Sequence, residues 1–243
     1  MRVVSLVPSL TEAVAVSAPG VLVGATDWCT HPDGLDVTRI GGTKNPALDR
    51  ITALAPDLVV ANEEENRAVD LTALGEAGVE VLVTEVRGVP EAFTELDRVL
   101  RACGAPSRPG WLDEAESAWA GLPDPDHRAR AVVPIWRRPW MVLGRDTFAG
   151  DVLARLGVRN VFAGSADRYP RLAKDDPATV DADWVVFPDE PYAFTPEDGP
   201  EAWPQARPAF VSGRHLTWYG PSLVEAPAVL SEQLAGSGPA DLP

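Results

Sequence analysis

"ITALAPDLVVANEEEN" (Ile51–Asn66) and "PATVDADWVVFPDEPY" (Pro177–Tyr192) share one plan. Each runs from a helix end through an acidic turn into an apolar strand, then leaves in a polar, carboxylate-rich loop. The elements beyond them also match: a helix, a short strand and a loop, "VEVLVTEVRG" (Val79–Gly88) in one half and "RPAFVSGRHL" (Arg207–Leu216) in the other. A unit repeated at matching places in two series points to two α/β lobes, each with a parallel sheet.

Working outward, strands and helices alternate along the whole chain. Val3–Val7 reads as a buried strand, and "SLTE" (Ser9–Glu12) as a capping box that opens a helix. Strands are expected at Val21–Ala25, Leu58–Ala61 and Val79–Val83. Helices are expected from Asn45-Pro46 through Leu54, at Val69–Ala77 before Gly78, and at Pro90–Ala102 before Gly104. Trp111–Leu122 is one helical segment between two proline-rich joints, "APSRPG" and "LPDPDH". A second series then starts at Ala131–Trp136 and continues through a helix at Phe148–Leu156 and a strand at Ala209–Ser212 to a last helix near Leu223–Leu234. The expected organisation is an N-terminal lobe over 1–105, a connecting helix over 106–125 and a C-terminal lobe over 126–243.

Loops that succeed parallel strands lie at the carboxyl ends of a sheet, where open α/β folds bind ligands. "SGRHLTWYGPS" (Ser212–Ser222) is one of them, with two large rings in a turn-rich segment that offers no period to bury both. Trp218 and Tyr219 are therefore expected to face Trp28, of "TDWCTHP" (Thr26–Pro32), across an interlobe cleft.

Composition narrows the class. The chain has 243 residues and a formal charge of −15, which argues against nucleic acid or an anionic membrane as the main partner. No apolar run is long enough to span a bilayer. Two cysteines make no disulfide framework, and His31, His127 and His215 leave little room for a histidine-rich metal site. "MRVVSLVPSLTEAVAVSA" resembles a secretion signal only superficially, because Pro8, Ser9, Thr11 and Glu12 interrupt its apolar region. The sequence as written is expected to be cytoplasmic, with an extracytoplasmic setting as the alternative for a trimmed mature form.

"RVVSLVPSLTE" (Arg2–Glu12), "VGATDWCTHP" (Val23–Pro32), "GGTKNPALDRITALAPDLVVA" (Gly41–Ala61) and "LTWYGPS" (Leu216–Ser222) together carry a family resemblance. The chain resembles the helical-backbone class of substrate-binding proteins, which serve uptake transporters for vitamin B12, haem and iron–siderophores. It is most similar to the cobalamin-binding members. That resemblance implies two lobes joined by one rigid helix, a small-molecule ligand, an ABC transporter permease as partner, and no catalysis. Trp28 matches a first-lobe aromatic that touches the corrin, and Trp218 with Tyr219 matches an aromatic pair on the opposing loop. Asp49 matches a glutamate that docks such proteins onto a transporter.

Further candidates come from the loops themselves. Trp140 is preferred over Trp136 as a ligand ring, because Trp136 ends an apolar strand and Trp184 lies within one. Glu65, Asn66 and Arg67 of "NEEENR" come after a strand end, where ligand amides would find donors and acceptors. Tyr192 of "PDEPYAF" is their second-lobe counterpart. Arg137, Arg138 and Arg214 are candidates for an anionic group. His215 is expected to line the site, as a single axial ligand to a tetrapyrrole metal or through a hydrogen bond to a loop carbonyl. No protein metal site is expected from His31, His215, Asp27 and Asp189, and no intrinsic cofactor. "VPSLTE" lacks the geometry of a nucleophile elbow, and no phosphate-binding glycine loop succeeds any strand. A corrinoid or related planar metal chelate is the expected ligand of a monomeric binding protein. An iron–siderophore or haem binder, and an enzyme acting on a tetrapyrrole, are the alternatives.

Overall fold

The computed structural model describes residues 1–125, 129–173 and 177–236, so His127 and the expected boundary at 126 lie outside the described residues. Two compact units emerge. The first comprises Met1–Val86, Pro90–Glu114 and Tyr219–Pro221; the second comprises Arg87–Val89, Ala115–Trp218 and Ser222–Pro243.

The first unit contains β1 (Val3–Ser5), α1 (Pro8–Ser17), β2 (Leu22–Ala25), β3 (Thr38–Arg39), β4 (Gly41–Gly42), β5 (Asn45–Pro46), α2 (Leu48–Ala53), β6 (Leu58–Asn62), α3 (Ala68–Glu76), β7 (Val81–Thr84) and most of α4 (Val89–Ala102). Its main sheet has the order β3-β2-β1-β6-β7, with every pair parallel. Next in the chain, α5 (Gly110–Ala120) is divided between the units after Glu114. The second unit contains β8 (Ala129–Val132), β9 (Pro134–Trp136), β10 (Met141–Val142), α6 (Phe148–Arg155), β11 (Val158–Asn160), β12 (Trp184–Pro188), β13 (Arg207–Val211), α7 (Gly213–Thr217) and α8 (Ala226–Gly236). Its sheet, β11-β8-β12-β13, is also parallel throughout.

With the edge strand β3 set aside, both sheets read second-first-third-fourth. The strands inside the two quoted stretches, β6 and β12, are the third strands, and both are buried along their full length. The acidic turns do the same work twice. Asp57, just before β6, accepts a hydrogen bond from Arg2 N at 2.7 Å, while its own N–H donates to Arg2 O at 2.8 Å. Asp183, just before β12, accepts from Arg130 N at 2.9 Å and donates to Arg130 O at 2.9 Å. In each unit one carboxylate thus pins the start of the third strand to the start of the first. Backbone groups at a strand entrance that the ladder leaves open gain partners this way.

Each sheet packs its own core. Val4, Leu6, Ile40, Ile51, Val59, Ala61 and Leu74 form one; Val132, Trp140, Val142, Val185, Phe187, Phe194 and Trp203 form the other. Burying one such aliphatic or aromatic side chain contributes about 1.5–3 kcal/mol.

Two local expectations are corrected. Helix α1 begins at Pro8 with Val7 at its cap and no side-chain cap bond, so Ser9 lies inside the first turn and is buried, not capping. Proline suits that position because its missing N–H has no helical partner there. Asn45-Pro46 does not start a helix: it pairs antiparallel with Gly41–Gly42, and α2 begins at Leu48. Gly41, at φ 87°, takes the left-handed backbone conformation of this hairpin.

Candidate functional site

In the first unit, the loops after β2 and β6 and the β4–β5 hairpin form one tied structure. Trp28 sits on the turn after β2 with 66% of its surface exposed. The turn is stapled from behind: one Arg39 guanidinium nitrogen donates to Thr26 O at 2.9 Å and to Cys29 O at 2.8 Å. Asp27 N donates to Gly41 O at 2.9 Å, and a Cβ on Gly42 would lie 3.5 Å from the Trp28 indole nitrogen. A large apolar ring is thus held out on a fixed backbone. Cys29, beside it in sequence, is fully buried between Thr11 and Thr26, and burial pushes its thiol above the usual range.

The "NEEENR" loop is organised by its amides. Asn62 Oδ1 accepts from Glu64 N at 2.9 Å and Glu65 N at 3.3 Å, while its Nδ2 donates to Thr84 O and Oγ1 at 3.0 and 3.1 Å. Asn66 Oδ1 accepts from Asn62 N at 2.9 Å, and its Nδ2 donates to Leu6 O at 3.3 Å and Thr43 O at 3.1 Å. Asn66 is 4% exposed, with its amide engaged by backbone groups of Asn62, Leu6 and Thr43, which corrects its expected role as a ligand contact. Arg67 likewise closes a two-pronged pair with Asp70, at 2.7 and 2.8 Å, on the first turn of α3. That hydrogen-bonded guanidinium holds the Asp70 carboxyl below its usual value. Glu65 remains half-buried, and its charge, like that of Glu64, acts on Tyr219. Lys44 Nζ donates to Glu64 O, joining the hairpin tip to this loop.

Tyr219 corrects another expectation. It is 5% exposed and counts with the first unit, where its hydroxyl lies beside Ser9 and Thr84. Burial drives its phenol well above the usual range. Gly220 comes next with a Cβ position only 3.0 Å from Ser9 O, so the segment lies against the first turn of α1 with no room for a side chain. Tyr219 is a packing residue here, not an open wall.

In the second unit the rings change places relative to the sequence expectation. Trp140 is 8% exposed, stacked on Phe194 and edge-on to Trp203, whereas Trp136 is 44% exposed. The signal was Pro134: it stops β8 at Val132, and the chain reverses through β9 and β10 as a separate antiparallel pair. Trp136 then meets half-buried Tyr192 edge-on, with ring centroids 5.7 Å apart. The Tyr192 hydroxyl donates to Asp198 Oδ2 at 2.6 Å, and Arg137 pairs with Asp198 and Glu201 while lying over the Trp140 ring. Arg137 is therefore spent inside the protein.

The loop after β12 and helix α7 hold the remaining candidates. Asp189 Oδ1 accepts from Gly213 N at 2.6 Å. Half-buried Trp218 lies under the Arg214 guanidinium at 5.8 Å and beside the Glu190 carboxyl. Burial, reinforced by neighbouring Asp189, pushes the Glu190 carboxyl above its usual 4.5 against the opposing pull of Trp218 and Arg214. Glu190 is absent from the sequence candidates; nothing in "PDEPYAF" distinguishes which of its carboxylates is buried. His215 is held at both nitrogens, by Ser212 Oγ at 2.7 Å and Glu225 Oε1 at 2.9 Å. Asp49 is exposed in the first turn of α2. Among the described residues no three His, Cys, Asp or Glu side chains converge as a metal-binding group.

No family model matches the chain. A vitamin B12-binding protein of Vibrio parahaemolyticus is 24% identical over 178 residues, covering 71% of this chain and 65% of that protein. The chain thus spans just under two thirds of that relative's length. An uncharacterised ABC transporter substrate-binding lipoprotein of Bacillus subtilis is 25% identical over 255 residues, covering 96% of this chain and 79% of that protein. Among solved structures, the periplasmic vitamin B12-binding protein of Vibrio cholerae aligns with a TM-score of 0.73 at 16% identity, covering 97% of each chain. A periplasmic haem-binding protein of Roseiflexus aligns at 0.75 and 20% identity, covering 96% of this chain and 98% of that one. The resemblance read from the sequence therefore holds in sequence and in fold. One expectation falls: relatives described as a lipoprotein and as periplasmic proteins overturn the cytoplasmic reading. Among the described residues no helix is long and apolar enough to cross a membrane.

Proposed function

We infer that this chain, with the fold and sequence kinship of ABC substrate-binding proteins, captures a corrinoid or a related planar metal chelate and hands it to an uptake transporter. The observation that carries the reading is Trp28: a large ring presented at 66% exposure on a turn fixed by Arg39, in a chain similar to vitamin B12-binding proteins. Such a ring offers a flat apolar face whose ordering costs little. If it covers on the order of 100 Å² of ligand, ~25 cal/mol/Å² gives roughly 2.5 kcal/mol. Trp136 with Tyr192, and Trp218 under Arg214, supply similar surfaces in the second unit.

A corrinoid is favoured over haem by the state of the potential axial ligands. His215 is engaged at both nitrogens and the Tyr192 hydroxyl is engaged by Asp198. A chelate that satisfies its own metal suits such a surface better than one that draws a ligand from the protein. On this reading the protein has no resident cofactor, acts as a monomer and does no chemistry on its cargo. Asp49 is proposed to meet the transporter, with domains at 1–105 and 126–243 linked through 106–125.

The test is a titration of the purified protein with cobalamin, cobinamide, haem and ferric siderophore, read by quenching of tryptophan fluorescence. Saturable binding of the corrinoids, tighter than haem and siderophore, is the expected result. Preference for haem with a Soret shift, or for siderophore alone, would replace the corrinoid assignment.

A further inference from the structure

The second unit also holds a cavity of about 500 Å³ whose lining includes no aromatic ring. Three arginines line it, Arg87, Arg145 and Arg159, from three separate segments of the chain. Two carboxylates share the wall, but both have partners. Asp151 accepts from Val89 N at 2.8 Å and from Arg155 Nε at 2.8 Å, and Asp146 lies 3.6 Å from Arg145. Thr147 Oγ1 caps α6 by accepting from Gly150 N, so one N–H of the helix end is already served. The balance of the wall is cationic. Arg159 is exposed on β11, and its neighbour Asn160 is fixed by donating to Leu143 O and Gly144 O. In a chain of net charge −15, a concave surface with more arginines than carboxylates is a local reversal of sign. Guanidinium forks match the geometry of carboxylate and phosphate oxygens, and the cavity is within the size range of small-ligand sites.

We propose that this cavity is a binding site for a small organic anion bearing two or more carboxylate or phosphate groups, held by Arg145 and Arg159 with Arg87. The site is separate from the chelate reading and does not depend on it. A polyanion is favoured over a single inorganic ion because one oxyanion would fill only a small part of the volume and reach one fork at a time.

The experiment is isothermal titration calorimetry of the full chain with citrate, with inorganic phosphate and with neutral glycerol as probes. Wild type should bind citrate saturably at one site, more weakly at higher salt, with phosphate at least tenfold weaker and glycerol giving no signal. Arg145→Gln and Arg159→Gln should each weaken citrate about tenfold, and the double variant should abolish it. Arg207→Gln removes the same charge from exposed β13 and should leave affinity unchanged. Asp146→Asn removes the competing carboxylate and should tighten binding. Near-ultraviolet circular dichroism of each variant establishes that it is folded. Absence of saturable citrate binding to wild type, or equal losses in Arg207→Gln and Arg159→Gln, would overturn the site. Tighter binding of phosphate than of citrate would overturn the polyanion assignment.

Discussion

The loops after β6 and β12 occupy the same place in two sheets of the same strand order, yet they are held by different chemistry. The first is cross-braced by amides: Asn62 and Asn66 together make bonds to Glu64, Glu65, Thr84, Leu6, Thr43 and each other. The second is braced by rings and carboxylates. Asp189 takes one N–H, Tyr192 is fastened through Asp198 and Arg137, and Glu190 is buried against Trp218. The entrances of these strands, by contrast, use the same Asp-to-Arg backbone clamp twice. The repeat holds where backbone geometry is the constraint, and differs in the side chains that brace the loops beyond.

That contrast can be broken most forcefully through the rings. Trp140→Ala empties the aromatic core of the second unit and should cost about 3–5 kcal/mol in urea denaturation. Trp136→Ala, four residues away, should cost less than about 1 kcal/mol while weakening chelate binding by about 1–3 kcal/mol. Equal stability losses would show that Trp136 is a core residue after all.

The two braces can next be weighed against each other. Asn62→Ala strips partners from Thr84 O and two loop N–H groups, for an expected cost of about 2–3 kcal/mol. Asp189→Ala removes a single charged acceptor and should cost about 1–2 kcal/mol, read in the same denaturation series. A reversed order would mean that the carboxylate loop is the stiffer one.

Trp28→Ala should leave the melting temperature within a degree or two and weaken chelate binding by about 1–3 kcal/mol, since the ring is exposed and its turn is held by Arg39. Retained affinity in the tryptophan-free loop, measured by ligand absorbance, would remove Trp28 from the site.

The smallest effect concerns Glu190. Its folded pKa is raised above the usual 4.5, chiefly by burial, so the native state binds this proton more tightly than the unfolded chain. The associated stability is present at low pH and is lost as pH rises from the unfolded value through the folded one. Glu190→Gln should therefore melt higher than wild type at pH 7, with the advantage shrinking towards pH 4. An advantage that is the same at both pH values would show that Glu190 is not titrating as described.

The sequence by itself determined the repeat. An apolar run after an acidic turn, met twice, specifies a buried third strand. Period and punctuation are local properties that survive without knowing any neighbour, so "LVVAN" and "WVVFP" became β6 and β12. Helix ends at Gly78 and Gly104 were readable for the same reason: both take positive φ, which glycine adopts without strain. Exposure of Trp28 was readable from the turn residues around it. The tertiary structure alone decided which other rings are open. Trp136 and Trp140 sit four residues apart in similar surroundings, and only the reversal between β9 and β10, over residues 137–140, put one outside and packed the other on Phe194 and Trp203. It alone placed Tyr219 beside Ser9 and Thr84, more than a hundred residues away in the chain. Burial is a property of what the rest of the chain brings to a residue, and contacts of such long sequence separation leave no mark on the local pattern.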